Sequence, residues 1–438
     1  HMSKFPPGVD RAINYSFFDA LYERRSRRFP IGGKIEEGPL QYKSNHPPTS
    51  LSEIEEAILV WNGLGIKSIN LSDFPPNKGL DLEVKFTSKT IPSLGDIHRT
   101  ELFYTNDSGL YLVKQHDKSP SDLKGIEALN KEEKITKILE LFEESKIKIH
   151  DGRANLPTTP PGLAIHNTWS VNMPGTTLMI PVTDLSAGLI NILFFYMREG
   201  HRFNFVDELN KMKPAGTKKW VENGYIDEKK VVPLIEAEVR FANGYIAEQP
   251  LFCQNVALTQ QILGLGGWMF SGFQSRYILG ADDQFKGLGF TCVEAKDQGS
   301  DWGAAVSKAP VGLDGHFEAF CPPYYKNMNE AVDAFNDMKW SNWEEKFMPY
   351  KDPSGVLNAT PRPSKEEIQI VKDICNYLYD TYGRFPAFSD AMYCRMMVQS
   401  HHLDLDFYDK FYPEGAYTDN HKNHFELWHP GIINPFNK

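Results

Sequence analysis

Four arginines and a serine stand within five residues near the start of the chain, at Arg24, Arg25, Ser26, Arg27 and Arg28. A guanidinium group carries forked donors at a fixed spacing, and these match two phosphate oxygens at once. The run follows a short apolar helical pattern, so its donors are expected at the end of a helix. The cluster predicts a phosphate-binding site, with a solvated basic patch as the alternative.

A polar loop is predicted after the second helix, in residues 69–74, which read INLSDF. The amide of Asn70 and the hydroxyl of Ser72 can donate to and accept from a ligand with mixed polarity. Asn and Ser are also common in loops that bind nothing. The segment therefore supports a ligand site only in combination with others.

A glycine-rich turn follows the predicted helix 247–263, in the sequence GLGGWMFSGF of residues 264–273. Clustered glycines let the backbone approach a flat ligand closely, and their N–H groups can donate to it. The spacing is not that of a dinucleotide-binding fingerprint, whose glycines open a helix rather than end one. A plain helix terminus is the alternative interpretation.

The order of these segments, with a hairpin between the second and the third, resembles the nitroreductase-like flavoproteins. The resemblance implies that FMN is the cofactor, that the basic run holds its phosphate and ribityl chain, and that the later segments contact the flavin. The cofactor-binding residues implied in this sequence are Arg24, Arg25, Ser26, Arg28, Asn70, Ser72, Gly266, Gly267, Ser271 and Gly272.

The resemblance covers about residues 15–115 and 245–295, and the chain departs from the family pattern inside and outside these ranges. Ser72 stands where the family has Gln, and Phe74 stands where it has Trp. The family also supplies a basic residue to the phosphate from near its C-terminus, for which Arg362 is the candidate. Residues 116–245 and the chain beyond 320 have no counterpart in simple members.

The fold implied by the resemblance is α+β, with an antiparallel or mixed sheet surrounded by helices and a helical C-terminal extension. The implied activity is that of an FMN-dependent oxidoreductase, which transfers hydride between NAD(P)H or an organic substrate and an acceptor through flavin N5. A homodimer with FMN at the subunit interface is also implied. Such turnover needs no side-chain acid or base, so no catalytic residue is assigned.

The C-terminal histidines suggest a different class of function. They are interleaved with carboxylates, which makes a metal-dependent hydrolase or oxygenase the alternative function. No known ligand spacing such as HExxH is present, so no metal ligand is assigned, and a hydrogen-bonded network that anchors the tail, or simply exposed histidines, is the favoured interpretation. A flavin-binding scaffold without turnover is a third alternative. The histidines are His401, His402, His421, His424 and His429.

The composition of the 438-residue chain is that of a globular protein, with 41% hydrophobic and 24% charged residues. A net charge of −10 opposes non-specific binding of nucleic acid. The longest apolar stretch, residues 188–197, is far shorter than the ~20 residues of a membrane-spanning helix. With five widely spaced cysteines and no secretory signal, a cytoplasmic protein with no membrane partner is expected.

The elements expected from apolar periodicity and capping residues fall into two predicted regions. The resemblance implies that residues 3–320 form a flavin domain with an insertion at about 116–245, and that residues 321–438 form a linker and a helical extension. Residues 1–2 are interpreted as a cloning remnant. Helices are predicted at 11–28, from Ser50 or Ser52 through Trp61, at 118–148, 185–199, 247–263 and 364–400, and a hairpin at 101–113.

Overall fold

The computed structural model describes residues 4–68, 87–116, 128–294, 308–341 and 350–436. The predicted ligand loop with Asn70 and Ser72 lies outside these ranges. The described helices are α1 (Pro7–Ile13), α2 (Phe17–Glu23), α3 (Glu53–Leu64), α4 (Lys131–Ser145), α5 (Leu185–Met197), α6 (Lys218–Glu222), α7 (Leu234–Ile246), α8 (Glu248–Leu263), α9 (Ser275–Leu279), α10 (Met328–Trp340), α11 (Pro353–Ala359), α12 (Lys365–Tyr382), α13 (Leu405–Phe411), α14 (Asp419–Lys422) and α15 (His424–Trp428).

The described strands form one large sheet and several small ones, so the architecture is mixed α+β, as predicted. They are β1 (Lys34–Ile35), β2 (Tyr42–Lys43), β3 (Ile66–Ser68), β4 (Ser88–Lys89), β5 (Thr100–Asn106), β6 (Gly109–Val113), β7 (Lys146–Asp151), β8 (Thr177–Asp184), β9 (Asn204–Asp207), β10 (Lys213–Pro214), β11 (Val231–Pro233), β12 (Gly266–Phe270), β13 (Thr291–Glu294), β14 (Lys308–Leu313), β15 (Phe317–Glu318), β16 (Met392–Tyr393) and β17 (Met397–His401).

The large sheet has the strand order β12-β17-β8-β5-β6-β7, and β16 also pairs with β8. Each of these pairings is antiparallel. β5 and β6 form the predicted hairpin, and the Asn106 side chain closes its turn by accepting the amides of Ser108 and Gly109. The hairpin prediction is confirmed.

The sheet separates two hydrophobic layers, because side chains alternate between its faces. On β5, Leu102 and Tyr104 pack with α3, α4 and α8, whereas Phe103 packs on the other face with α5, α7, α10 and α12. The first layer places the N-terminus of α3 and the C-terminus of α8 beside the end of β17.

Several predicted helix boundaries are confirmed by their caps. Asp184 accepts the amide of Ala187 at the start of α5, and Pro250 stands in the first turn of α8. Gly264 ends α8 with φ +76°, a left-handed conformation that glycine adopts without strain. For α3 the N-cap is Ser52, and its capping-box partner is Glu55 rather than the Glu53 expected for a cap at Ser50.

Three predicted helices were wrong in extent. Residues 11–28 are not one helix, because α1 ends at Ile13 and Ser16 caps α2 by accepting the amide of Asp19. In the described part of 118–148, α4 ends at Ser145 and β7 begins at Lys146. The helix predicted from 364 to 400, with a break at Gly383–Pro386, ends at Tyr382 and does not resume, since Met397–His401 is a strand in the middle of the large sheet. Short apolar runs fit helical and strand periods alike, so periodicity alone could not separate them.

The described helices include none that is both long enough and apolar enough to cross a membrane. All five cysteines are free thiols, and four of them are buried. The aromatic and polar run Tyr379–Pro386 contributes to packing. Tyr382 donates to Asp207 at 2.8 Å, and Arg384 pairs with Asp390 at 2.9 Å.

Replacing Asp207 with Asn is expected to destabilise the fold by about 1–3 kcal/mol, the usual effect of unbalancing a buried polar group. Asp207 is fully buried and accepts hydrogen bonds from Tyr377, Tyr382 and two amides. Burial alone raises the pKa of Asp207, but the bonds from Tyr377, Asn210 and Tyr382 outweigh it and hold that pKa below its ordinary value.

The stabilisation by ionised Asp207 is fully present above the ordinary carboxyl pKa of about 3.9. It is lost as the pH falls from that value through the lower pKa that Asp207 has in the folded protein. Urea unfolding at pH 7 and at pH 3 should therefore show a smaller difference between wild type and Asp207→Asn at pH 3. The exposed Asp380→Asn serves as the control. An equal difference at both pH values would contradict the assignment.

Candidate functional site

The basic run and the glycine turn, separated by about 240 residues in sequence, lie side by side. The amide of Arg27 donates to the carbonyl of Gly267 at 3.1 Å, and the amide of Gly267 donates back to Arg27 at 2.8 Å. The segment that carries Arg27 thus covers the free edge of β12. The fold brings together the two motifs on which the resemblance depends.

Arg28 is held between two indole rings beside this edge. Its guanidinium carbon lies 4.5 Å from the ring centre of Trp268 and 5.2 Å from that of Trp169. Its Nη2 donates to Asn167 Oδ1 at 2.9 Å and to Ser170 Oγ at 2.8 Å. Burial lowers the pKa of Arg28, and no described carboxylate forms an ion pair with it. The result is a partly desolvated cation without a counter-ion among the described residues.

Three buried donors around Arg28 have no hydrogen-bond partner among the residues that the structure describes. They are Arg28 Nε, Asn167 Nδ2 and Trp268 Nε1. A buried donor without a partner costs about 1–3 kcal/mol, so native structures rarely leave several in one place. A ligand with several acceptor oxygens and a negative charge would satisfy the donors and the cation together. The chemistry of these side chains is therefore compatible with an anion.

Asn167 links Arg28 to the second half of the glycine turn. Its segment is anchored there, because the amide of Ala164 donates to the carbonyl of Gly272 at 2.8 Å. A Cβ at position 272 would overlap the Asn167 amide group. The glycine at 272 thus allows the close approach of the residue that carries one of the unpartnered donors.

A cavity of about 150 Å³ adjoins Arg28, with Ser26, Arg27, Phe29, Trp169 and Tyr408 in its lining. It could hold a phosphate-sized group. Pockets that enclose a whole cofactor measure about 300–1,000 Å³. The cavity therefore suits one end of a larger ligand.

The other predicted cofactor residues have different environments. Arg25 is exposed and donates to carbonyls of its own segment, while Ser26 and Ser271 are exposed and Arg24 is half-buried. Gly266 is buried against the His401 ring and Leu403. Asn70 and Ser72 lie outside the described residues, and Arg362 stacks on Trp340 of α10. For all of these positions cofactor binding stays a prediction.

The five C-terminal histidines have three different environments. His401 packs against Gly266, where burial and the neighbouring His402 lower its pKa to about 3. His421 bonds to Thr418 at 2.9 Å. His402, His424 and His429 converge on a buried carboxylate, that of Glu55.

Sequence reasoning missed the residues that make both sites specific. Asn167 and Trp169 lie in a Pro- and Thr-rich segment with no recognisable motif, and an aromatic residue such as Trp268 in the glycine turn fits core packing as well as a wall of a ligand site. Glu55 stands in the first turn of a predicted helix, where a glutamate commonly caps the helix and signals no ligand site. Only the pairing of segments distant in sequence identifies these residues.

By sequence, no family model and no curated protein matches the chain. Among solved structures, a protein from Ralstonia eutropha JMP134, provisionally named a nitroreductase, aligns with 60% of this chain and 74% of its own. The TM-score is 0.26 and the identity 10%. A likeness this low carries no weight for fold or function.

Proposed function

We propose that the chain is an FMN-dependent oxidoreductase of the nitroreductase type, which works as a homodimer with NAD(P)H or an organic substrate as hydride donor. The observation that supports the proposal is the set of unpartnered buried donors around Arg28. They occur where the basic motif meets the glycine turn, and they call for an anion such as the FMN phosphate. FMN would supply two-electron redox chemistry when bound.

In this proposal each residue of the site has a binding role. Arg28 would hold the phosphate, with Asn167 Nδ2 and Trp268 Nε1 as further donors. The two indole rings shield the guanidinium from water, which strengthens its bonds to an anion. Because the cavity accommodates only a phosphate-sized group, the rest of the cofactor would extend beyond it, toward the second copy of the chain.

Arg28→Ala is expected to weaken FMN binding by about 10–100-fold, because a hydrogen bond to a charged group contributes about 1.5–3 kcal/mol. Arg28→Lys keeps the charge and loses the fork, so it should give a smaller loss. Arg240→Ala, which removes an exposed arginine of α7, is the control. Dissociation constants are measured by flavin fluorescence titration, with circular dichroism to confirm folding.

Three outcomes would oppose this proposal. Equal affinity for FMN in wild type and Arg28→Ala would remove Arg28 from the site, and a wild type that takes up no FMN would end the flavin assignment. A flavin that binds but is not bleached by NADH, NADPH or a reducing substrate under anaerobic conditions would favour the non-catalytic scaffold.

A further inference from the structure

Four potential metal ligands from distant parts of the chain converge at one point. Glu55 lies in the first turn of α3, His402 directly follows β17, and His424 and His429 stand at the two ends of α15. One ligand atom of each lies within 4.8 Å of all the others. These four residues are called the histidine centre below.

The spacing of the ligand atoms fits a single ion. Glu55 Oε1 lies 2.9 Å from His424 Nε2, 3.3 Å from His429 Nε2 and 3.4 Å from His402 Nε2. His402 Nε2 and His429 Nε2 are 3.2 Å apart. Ligands on a tetrahedron around Zn²⁺, at the usual bond lengths near 2.05 Å, are separated by about 3.3 Å. Four of the six separations are thus those of one coordination sphere, and the other two are within 4.8 Å.

The outer hydrogen bonds fix which nitrogen of two rings is available. His424 Nδ1 lies 2.8 Å from the carbonyl oxygen of Leu263, and His402 Nδ1 lies 3.0 Å from that of Thr49. A carbonyl only accepts, so each Nδ1 carries the proton and each Nε2 presents its lone pair. This arrangement of backbone acceptors behind metal-bound imidazoles is common in metal sites.

Without a cation, the lone pairs of the histidine centre would face one another. A neutral His424 directs its Nε2 at a carboxylate oxygen that also carries lone pairs, and His402 does the same toward Glu55 and His429. One proton could relieve one of these contacts. A divalent ion relieves all of them, and it also balances the buried charge of Glu55.

The centre is closed. Glu55 and His402 have no exposed side-chain surface, His424 has 3% and His429 has 10%. The other oxygen of Glu55 is occupied, since it accepts the amide and the hydroxyl of Ser52 at 2.6 Å each. Four protein ligands complete a tetrahedron, whereas a catalytic zinc keeps a position open for water or substrate.

We propose that Glu55, His402, His424 and His429 bind one divalent transition-metal ion of the zinc type, which fastens the C-terminal segment to α3. Imidazole and carboxylate ligands without thiolate select this class of ion. The role is structural, so the proposal differs from a hydrolase or oxygenase built on the same histidines. It does not depend on the flavin proposal.

The test uses the full chain, stripped with a chelator and then dialysed against Zn²⁺. Elemental analysis should find one zinc ion per chain in wild type and in His150→Ala, whose histidine on β7 belongs to no cluster. His429→Ala should bind zinc more weakly by more than about 100-fold, since loss of even an outer partner costs 10–100-fold. Glu55→Gln, which preserves shape, should also lose the ion. Co²⁺ in place of zinc should give the strong visible absorption of a four-coordinate site.

Three results would overturn the inference. A wild type that retains no zinc, although it is folded by circular dichroism, would mean that protons alone satisfy the cluster. Equal zinc content in wild type, Glu55→Gln and His429→Ala would place the ion elsewhere. A weak Co²⁺ spectrum typical of six-coordination would contradict the closed, structural role.

Discussion

Removal of zinc from the histidine centre is expected to lower the free energy of unfolding by about 4 kcal/mol relative to protein held in zinc at 1,000 times the dissociation constant. The reason is that the ion binds only the folded arrangement, in which α3 and α15 meet. Calorimetry with and without chelator measures the change. Glu55→Gln should show no difference between the two conditions.

Limited proteolysis reports where the loss of stability occurs. Lys422 is exposed at the end of α14, two residues before His424. Trypsin should cleave there much faster after chelation, because α14 and α15 lose their attachment to α3. Cleavage at Lys218 in the distant helix α6 is the internal control. Equal acceleration at both lysines would indicate global unfolding rather than release of the tail.

Gly264→Ala is expected to destabilise the fold by about 2–5 kcal/mol, from the left-handed backbone and from overpacking. A Cβ at this position would overlap the carbonyl oxygen of Asn420. Asn420 in turn donates to the carbonyls of Gln261 and Ile262 at the end of α8. The added methyl group would therefore push α14 away from α8, along with the helix that carries His424.

Gly383→Ala provides a closely matched control. Gly383 ends α12 with the same φ of +76°, but a Cβ there would meet no atom within 4 Å. Its cost is limited to the backbone term of about 1–2 kcal/mol. Chemical denaturation of both variants isolates the steric part. Equal losses of stability in the two variants would show that the contact between Gly264 and Asn420 does not limit the size of residue 264. Zinc affinity should fall only in Gly264→Ala.

The sequence predicted local features better than long-range ones. The hairpin around Asn106–Gly109, the cap at Asp184 and the end of α8 at Gly264 depend on residues close together in the chain, and all three were confirmed. The strand Met397–His401 was missed because its place depends on partners in β8 and β12. No local pattern records those partners.

The same distinction applies to the two sites. Arg28 and Gly272 were named from motifs, but Asn167, which bridges them, has no motif to mark it. Three of the ligands in the histidine centre are C-terminal histidines that the sequence pattern indicated. The fourth, Glu55, precedes His402 by about 350 residues. The metal site can be recognised only from the contacts between Glu55 of α3 and the three C-terminal histidines.

The position of β17 also has a consequence for how the protein is made. β17 lies between β12 and β8, so β12 cannot join the other strands of the large sheet until residue 401 has left the ribosome. Until then the inner edges of β8 and β12 have no partner, and open edges invite pairing with other chains. Nascent and truncated chains that end before Met397 are therefore expected to require chaperone protection.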